Sequence, residues 1–395
     1  MNYILFDDHS RNNLLPLTFL RPVADIRIGI MTIRKKWERF LESQTSTLTE
    51  TYLSTKFPIV KDKHNILING SVCPNSELVD EINSLKPNQA LVTEDSIVAL
   101  NMRAEDLDEA GEMNISGIDE ISAKSDFIKI NDVWEIFSRN GDAIKKDFDI
   151  LTKGRKSEKL SKTNRLIGEE NIFVEKGAKV EYAILNASSG PIYIGADAEI
   201  MENAVIRGPF ALCDNSVVKM AAKIYGPTTI GPYCKVGGEV NNSVFFGYSN
   251  KAHDGFLGNS VIAEWCNLGA DTNNSNLKNS YDEVKLWNYP QKTFVGTGLQ
   301  FCGLIMGDHS KSGINTMFNT GTVVGVNVNI FGSGFQRNFI PSFSWGSTAG
   351  FKVYNIKKAV EVAEAVFARR NKKFDGAEKE LLINIFDQTA TNRSL

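Results

Sequence analysis

The chain has 395 residues with 44 basic and 47 acidic side chains, a net charge of −3 at pH 7, so it carries no basic footprint for nucleic acid. No apolar run is long enough to span a bilayer, and the opening MNYILFDDHSRNN turns acidic and polar too soon for a secretory leader. Five scattered cysteines (Cys73, Cys213, Cys234, Cys266, Cys302) have neither metal nor redox spacing, which points to reduced, buried thiols and a cytoplasmic location.

Residues 2–6 (NYILF) read as a buried strand, followed by a polar loop, DDHSRNN. Pro16 and Pro22 keep the next stretch out of helix. A helix is expected from about Gly29 to Glu42, with Ile30, Ile33, Trp37 and Leu41 as its apolar stripe. Residues 65–70 (NILING) give a second core strand, and the helix after Pro74 carries Leu78, Ile82 and Leu85. Short strands fit 90–93 and 97–101, and 104–125 reads as an acidic loop. Strands alternating with helices indicate a small α/β domain. Residues 132–152 are expected to be helical with an interruption near Gly141, and a charged linker follows.

From Ile194 the pattern changes. Ile194, Ile200, Ile206, Leu212, Val218, Ile224, Ile230 and Val236 fall six apart, and Met306, Ser312, Phe318, Val324 and Ile330 resume the spacing. Twelve of these thirteen positions are apolar. A period of six fits neither a helix at 3.6 nor a flat strand at 2; it is the hexapeptide signature of a β-helix. Each hexad supplies one short strand, and three hexads make one triangular coil. A short piece, Ile262 to Leu268, lies between the two runs, with irregular loops expected over 241–260 and 273–303. Chemistry is expected on those loops. Flat faces associate easily, so a homotrimer is expected. The stretch 356–370 is amphipathic through Val360, Val362, Ala363 and Phe367, and a last helix is expected over 377–387.

Two stretches, VGGEVNNS…SNKAHDGFLGNSVIAEWCNLGADTNNSN and GLIMGDHSKSGINT, resemble the acetyltransferase domain of the bifunctional N-acetylglucosamine-1-phosphate uridyltransferase/glucosamine-1-phosphate acetyltransferase family, GlmU. The resemblance implies a left-handed parallel β-helix using acetyl-CoA. It puts His253 on the general base, which takes a proton from the attacking amine, a role suited to imidazole because it titrates near neutrality. It puts Glu239 on the acid that orients the histidine and Asn276 near the reacting carbonyl. Asn267 and Ala270 fall on the segment lining the sugar and coenzyme sites, and Lys311 and Gly313 in and beside the coenzyme-binding turn. Phe256 stands where the family has tyrosine, Asn241 where it has a phosphate-binding lysine, and Asp271 where it has a glycine. Lys219, Lys251, Lys278 and Lys285 are the candidates to replace the lost positive charge.

The N-terminal part resembles a short, divergent sugar nucleotidyltransferase domain through its first strand and Pro16-Leu17-Thr18…Pro22. Its loop lacks the family's glycines, and Val23 stands at a lysine position. Phosphate would then be met by Arg11, Arg21 and Arg27, with Asp7, Asp8 and Asn69 placing Mg²⁺. The division implied is a truncated nucleotidyltransferase-like α/β domain at 1–125, a helical linker at 126–165, the β-helix at 166–350 and C-terminal helices at 351–395.

Three functions stay open. The first joins acetylation of glucosamine-1-phosphate, or a related amino-sugar phosphate, to nucleotidyl transfer giving UDP-N-acetylglucosamine. The second keeps the acyltransferase but makes the N-terminal domain catalytically dead. The third is a trimeric scaffold or sugar-nucleotide sensor. For single residues the plain readings are a turn role for His309, solvated charges for Lys278 and Lys285, ion pairing for Arg21 and Arg27, and loop packing for Trp287, Tyr289 and Phe294.

Overall fold

A computed structural model describes residues 1–107 and 115–394 and divides the chain into two compact units. The first comprises Met1–Leu14, Thr18–Ile26 and Met31–Asp132. Among the described residues its sheet has six strands. The apolar strand Asn2–Phe6 lies at its heart, parallel to Thr45–Leu48 on one side and to His64–Asn69 on the other. Ile97–Arg103 runs antiparallel to His64–Asn69, Gln89–Val92 follows it, and Asp119–Ser122 forms the edge. Ile4, Phe6, Leu67, Leu100 and Met102 fill one face.

The helix Ile33–Leu41 starts later than its apolar stripe suggests. Thr32 is extended and its hydroxyl accepts from the Lys35 amide, which caps the helix there. Trp37 is fully buried and its indole donates to the Val72 carbonyl at 2.7 Å. Three features went unread in the sequence. Thr45–Leu48 is a strand although TSTL has no apolar alternation, and Ser10–Asn13 is a short helix within the polar loop. The acidic loop ends in the strand Asp119–Ser122; residues 108–114 of that expected loop lie outside the described residues.

The second unit comprises Leu15–Leu17, Arg27–Ile30 and Val133–Leu395. Its centre is the expected parallel β-helix. Among the described residues one face has nine strands, from Ile172–Val174 to Phe339–Ile340. A second face has ten, from Lys179–Val180 to the antiparallel Gly350–Val353. The third has six, from Arg165–Ile167 to Phe256–Gly258, and the pair Asn273–Asn274 with Met317–Phe318 follows in later coils. The eight aliphatic hexad positions of the first run are at most 1% exposed, and the hexad positions of the second run at most 5%. Burying each contributes about 1.5–3 kcal/mol, so the stacked interior is the main source of stability. Asn203, Asn215 and Asn327 sit at corners with positive φ, where asparagine's short polar side chain eases a left-handed turn.

The expected irregular loop over 241–260 is instead part of the prism. Leu212 pairs with Ile230, eighteen positions on, but Ile230 pairs with Phe245, only fifteen on. One coil is shortened at its turns, which shifts the frame and hides Val240, Phe245, Lys251 and Leu257 from a period of six. The stretch 273–303 leaves the prism only after the strand Asn273–Asn274, and it carries the hairpin Lys285–Asn288 with Thr293–Gly296.

The helix Asn140–Thr152 follows the one-turn helix Glu135–Ser138, so the break falls at Arg139. Gly141 lies inside the helix, where an added Cβ would meet Pro227 at 2.9 Å. Ile144 packs with Phe173, Tyr193 and Ala211 of the nine-stranded face. The C-terminal helices span Ile356–Ala368 and Gly376–Gln388. Phe367 stacks on Trp265 with ring centroids 4.0 Å apart.

Candidate functional site

His253 sits at the corner between the strand Asn250–Lys251 of the ten-stranded face and Phe256–Gly258 of the third face, with its side chain exposed. Two features shape that corner. Gly255 has φ +110, and a Cβ there would lie 2.3 Å from the Thr272 carbonyl, so only glycine fits the turn after the histidine. Lys251 occupies an interior position, stacked on Val236, and is 1% exposed. Its ammonium donates to the carbonyls of Gly237 at 3.2 Å and His253 at 2.9 Å. Burial pushes this ammonium down to about 8, against the pull of Asp254 and Asp271.

Several sequence-predicted residues meet beside this corner. Glu239 pairs with Phe256 and Asn241 with Gly258 on adjacent strands. Asn276 folds over Gly258, where a Cβ would be 2.6 Å from its amide nitrogen and 2.6 Å from the Phe256 ring. Its amide donates to Asn259 Oδ1 at 2.8 Å. Lys219 stacks at the same corner, its Cβ 3.0 Å from where a Gly237 Cβ would be. The Glu239 carboxylate accepts from Tyr225 Oη at 2.7 Å and pairs with Lys223 Nζ at 3.1 Å. Those two partners hold it below the usual carboxylate range, and the bond to this carboxylate, with some burial, pushes the Tyr225 phenol up to about 12. Neither partner was singled out from the sequence. Their only signal is that Lys223 and Tyr225 alternate with interior Ile224 on the strand paired to Glu239–Asn241.

The next coils build a cavity of about 450 Å³. The Asp271 amide donates to the Asp254 carbonyl at 3.1 Å, and the Asn315 amide to the Ala270 carbonyl at 2.9 Å, so the Asp271 turn stacks directly on the His253 turn and the Asn315 turn stacks on that one. Asp271, Asn273, Ile314, Asn315, Met317 and Ser333 are among the cavity's lining. Gly313 belongs to this stack, since a Cβ on Gly269 would lie 2.5 Å from its carbonyl carbon.

Other predicted residues lie apart. Asn267 and Lys311 pair on the ten-stranded face, and Lys311 Nζ donates to the His309 carbonyl at 2.8 Å. Lys278 Nζ is bound to the Glu283 carbonyl at 2.6 Å, and Lys285 is on the exposed hairpin. His309 stacks against Trp265 and Phe367 in an aromatic column along one corner.

In the first unit the chain leaves three parallel strands at Phe6, Leu48 and Asn69. Crevices outside such strand ends are where α/β sheets bind ligands. Asp7 Oδ1 accepts from the Val23 amide at 2.8 Å, and Oδ2 from Arg11 at 3.0 Å and Thr49 at 2.5 Å. Asp8 Oδ1 accepts from the Ser10 amide at 3.0 Å and from its hydroxyl, and Oδ2 from Asn69 at 2.9 Å and Lys129 at 3.0 Å. Asn69 Oδ1 is itself taken by the Ser71 amide and hydroxyl. All four carboxylate oxygens and the amide oxygen are thus satisfied within the protein. This donor set does not fit Mg²⁺, which needs open oxygens in near-octahedral array. Among the described residues there is no cluster of three or more metal-ligating side chains either. Arg11 is 4% exposed and is also bound to the Thr18 and Arg21 carbonyls and to Tyr52. Arg21 is buried as well. Arg27 is not with them: it belongs to the second unit, where its guanidinium donates to the Phe246 carbonyl at 2.8 Å.

Comparison with known proteins agrees with a two-part reading. The sequence model of a family described as sugar nucleotidyl transferase matches residues 3–156. An uncharacterized acetyltransferase, YaiX, of Escherichia coli O6:K15:H31 is 27% identical over 159 residues, covering 40% of this chain and 68% of that protein. The bifunctional sugar-1-phosphate nucleotidylyltransferase/acetyltransferase of Sulfurisphaera tokodaii is 30% identical over 144 residues, 36% of this chain and 35% of that protein. The bifunctional protein GlmU of Picosynechococcus sp. is 27% identical over 157 residues, 39% of this chain and 28% of that protein. The matched segments span about a third of these two bifunctional relatives. With a sugar nucleotidyl transferase match at its N-terminal end and acetyltransferase and bifunctional relatives besides, the chain is similar to transferases of the GlmU-like kind.

Proposed function

We propose that the β-helix transfers acetyl from acetyl-CoA to the amine of glucosamine-1-phosphate or a related amino-sugar phosphate. The observation that carries this reading is the exposed His253 corner, braced from inside by Lys251 and stacked under the Asp271 turn, on which the Asn315 turn of the cavity stacks in its turn. His253 accepts the amine proton as nitrogen attacks the thioester carbonyl; the C–S bond breaks and the coenzyme thiol leaves with a proton. Ile314 and Met317 suit the apolar part of an acyl-coenzyme arm, and Asn276, whose amide lies over Gly258, is read as a donor to the developing oxyanion. Glu239, held by Tyr225 and Lys223, is read as the acidic residue that orients the imidazole. Lys251 is interior and acts on the turn, not on substrate phosphate.

The protein is read as a cytoplasmic homotrimer. The third face supports the oligomer, because Ile167, Ile184, Val205 and Tyr225 point outward from it and are 37–50% exposed. The first unit is read as the sugar-nucleotide module, which would act on the acetylated sugar phosphate toward UDP-N-acetylglucosamine. The test is acetyl transfer by purified protein from acetyl-CoA to glucosamine-1-phosphate, read by the mass of the sugar product, with His253→Ala beside it. Turnover that persists in His253→Ala sinks the assignment. No turnover in either protein with any amino-sugar phosphate favours the scaffold or sensor.

A further inference from the structure

The first unit is expected to use a divalent ion, yet its acidic pair is arranged around a cation that the chain itself provides. Lys129 Nζ lies 3.0 Å from Asp8 Oδ2, and the two side chains are only 14% and 10% exposed. Asn69 donates to that same oxygen, and Ser10 holds the other. Lys129 also donates to Asn131 Oδ1 at 2.8 Å. Burial alone would raise the Asp8 carboxyl; the hydrogen bonds from Ser10 and Asn69 and the charge of Lys129 outweigh it and hold the group below its usual range. Asp7 is closed in the same way by Arg11, at 5% exposure on both sides. A divalent ion could bind Asp8 only in competition with this half-buried ammonium, which leaves two cations on one carboxylate.

We propose that Lys129 is the resident cation of the first unit's site, standing on Asp8 in place of a divalent metal, and that a nucleotide's phosphates are met there by its ammonium without metal. An ammonium has three protons; Asp8 and Asn131 take two, and the third serves a phosphate oxygen. As a compact point charge it suits phosphate, and the missing glycines of the loop leave phosphate to side chains. The phosphate half rests on reading this unit as nucleotide-binding; the metal half does not.

The test uses the full chain in two arms. In the first, UTP binding is measured by calorimetry in EDTA and in Mg²⁺. The expected result is an affinity equal within about two-fold in both buffers, and weaker by at least about ten-fold in Lys129→Met, the size of one lost charged hydrogen bond. Lys129→Arg keeps the charge and is expected to retain more binding than Lys129→Met. A ten-fold loss in EDTA that Mg²⁺ restores overturns the proposal. No UTP binding in either buffer overturns its phosphate half together with the nucleotide reading.

In the second arm, Mn²⁺ alone is followed by paramagnetic resonance. The wild type is expected to bind none at this site, and Lys129→Met to gain one site that Asp8→Asn removes again. Mn²⁺ bound by the wild type and lost in Asp8→Asn overturns the metal half. The double variant Lys129→Met/Asp8→Asn leaves no unpaired buried charge, so its thermal melt separates loss of fold from loss of ligand.

Discussion

The two regions that hold the candidate chemistry are built on opposite plans. In the β-helix the interior residues carry stability and the site stands outside them: His253, Asp271 and Asn315 are exposed on turns, while Val236, Leu257 and Leu268 stack within. In the first unit Arg11, Asn69 and the Asp7 side chain are themselves buried, each with several internal partners. A prism site can therefore lose or exchange a residue without losing its frame. The first unit's site shares its residues with the core, so a change there is felt by both.

The comparison can be broken most sharply at His253. His253→Ala is expected to lower acetyl transfer by about 10²–10⁴-fold, the usual worth of a general base. Its unfolding midpoint is expected to stay within the roughly ±0.5 kcal/mol of an exposed substitution. A melt that shifts strongly would mean that this corner is structural.

Arg11→Met is the counterpart. It strands Asp7 in a site 5% exposed, and loss of one partner of a buried pair costs about 3–5 kcal/mol. Hydrogen exchange of the strand Asn2–Phe6 is expected to speed up accordingly, while exchange in the β-helix stays unchanged.

Lys251 is the exception that sharpens the contrast, because it is a charge inside the prism. Its folded pKa is about 8 against 10.5 in the free side chain. Between those values the unfolded chain still holds the proton that the folded chain has released. Stability of the β-helix therefore rises from about pH 8 to 10.5, by up to about 3 kcal/mol. In Lys251→Met that contribution is absent, so the urea midpoint of the wild type rises relative to that of the variant as pH rises from about 8. Acetyl transfer by Lys251→Met is expected to fall mainly in kcat, since the lysine holds the His253 turn and not substrate. A change confined to KM would count against that role.

The smallest effect belongs to Lys223→Met. Its pair with Glu239 is 62% and 34% exposed, and such pairs contribute about 0.2–1 kcal/mol. A larger change in the double-mutant cycle with Glu239→Gln would mean that Tyr225, Lys223 and Glu239 act as one network.

Much of the fold was legible in particular residues. The run from Ile194 to Val236 gave the β-helix, because one interior residue per short strand is a local pattern that needs no knowledge of neighbours. The same rule failed from Val240 to Leu257, where a coil of fifteen residues breaks the period although every strand remains paired. The His253 motif was legible as a motif. That Gly255 must be glycine, and that Lys251 lies inside, followed only once the coils were stacked.

What the sequence determined by itself is the hexad interior, the amphipathic helices and the residue types available for acyl transfer, since these depend on local spacing and burial. The tertiary structure alone decided which polar groups meet: Glu239 with Tyr225, Lys251 with the His253 carbonyl, Lys129 with Asp8. Periodicity says whether a side chain faces in or out. It does not say which strand lies beside it, and the partners of a buried charge are set by that neighbour.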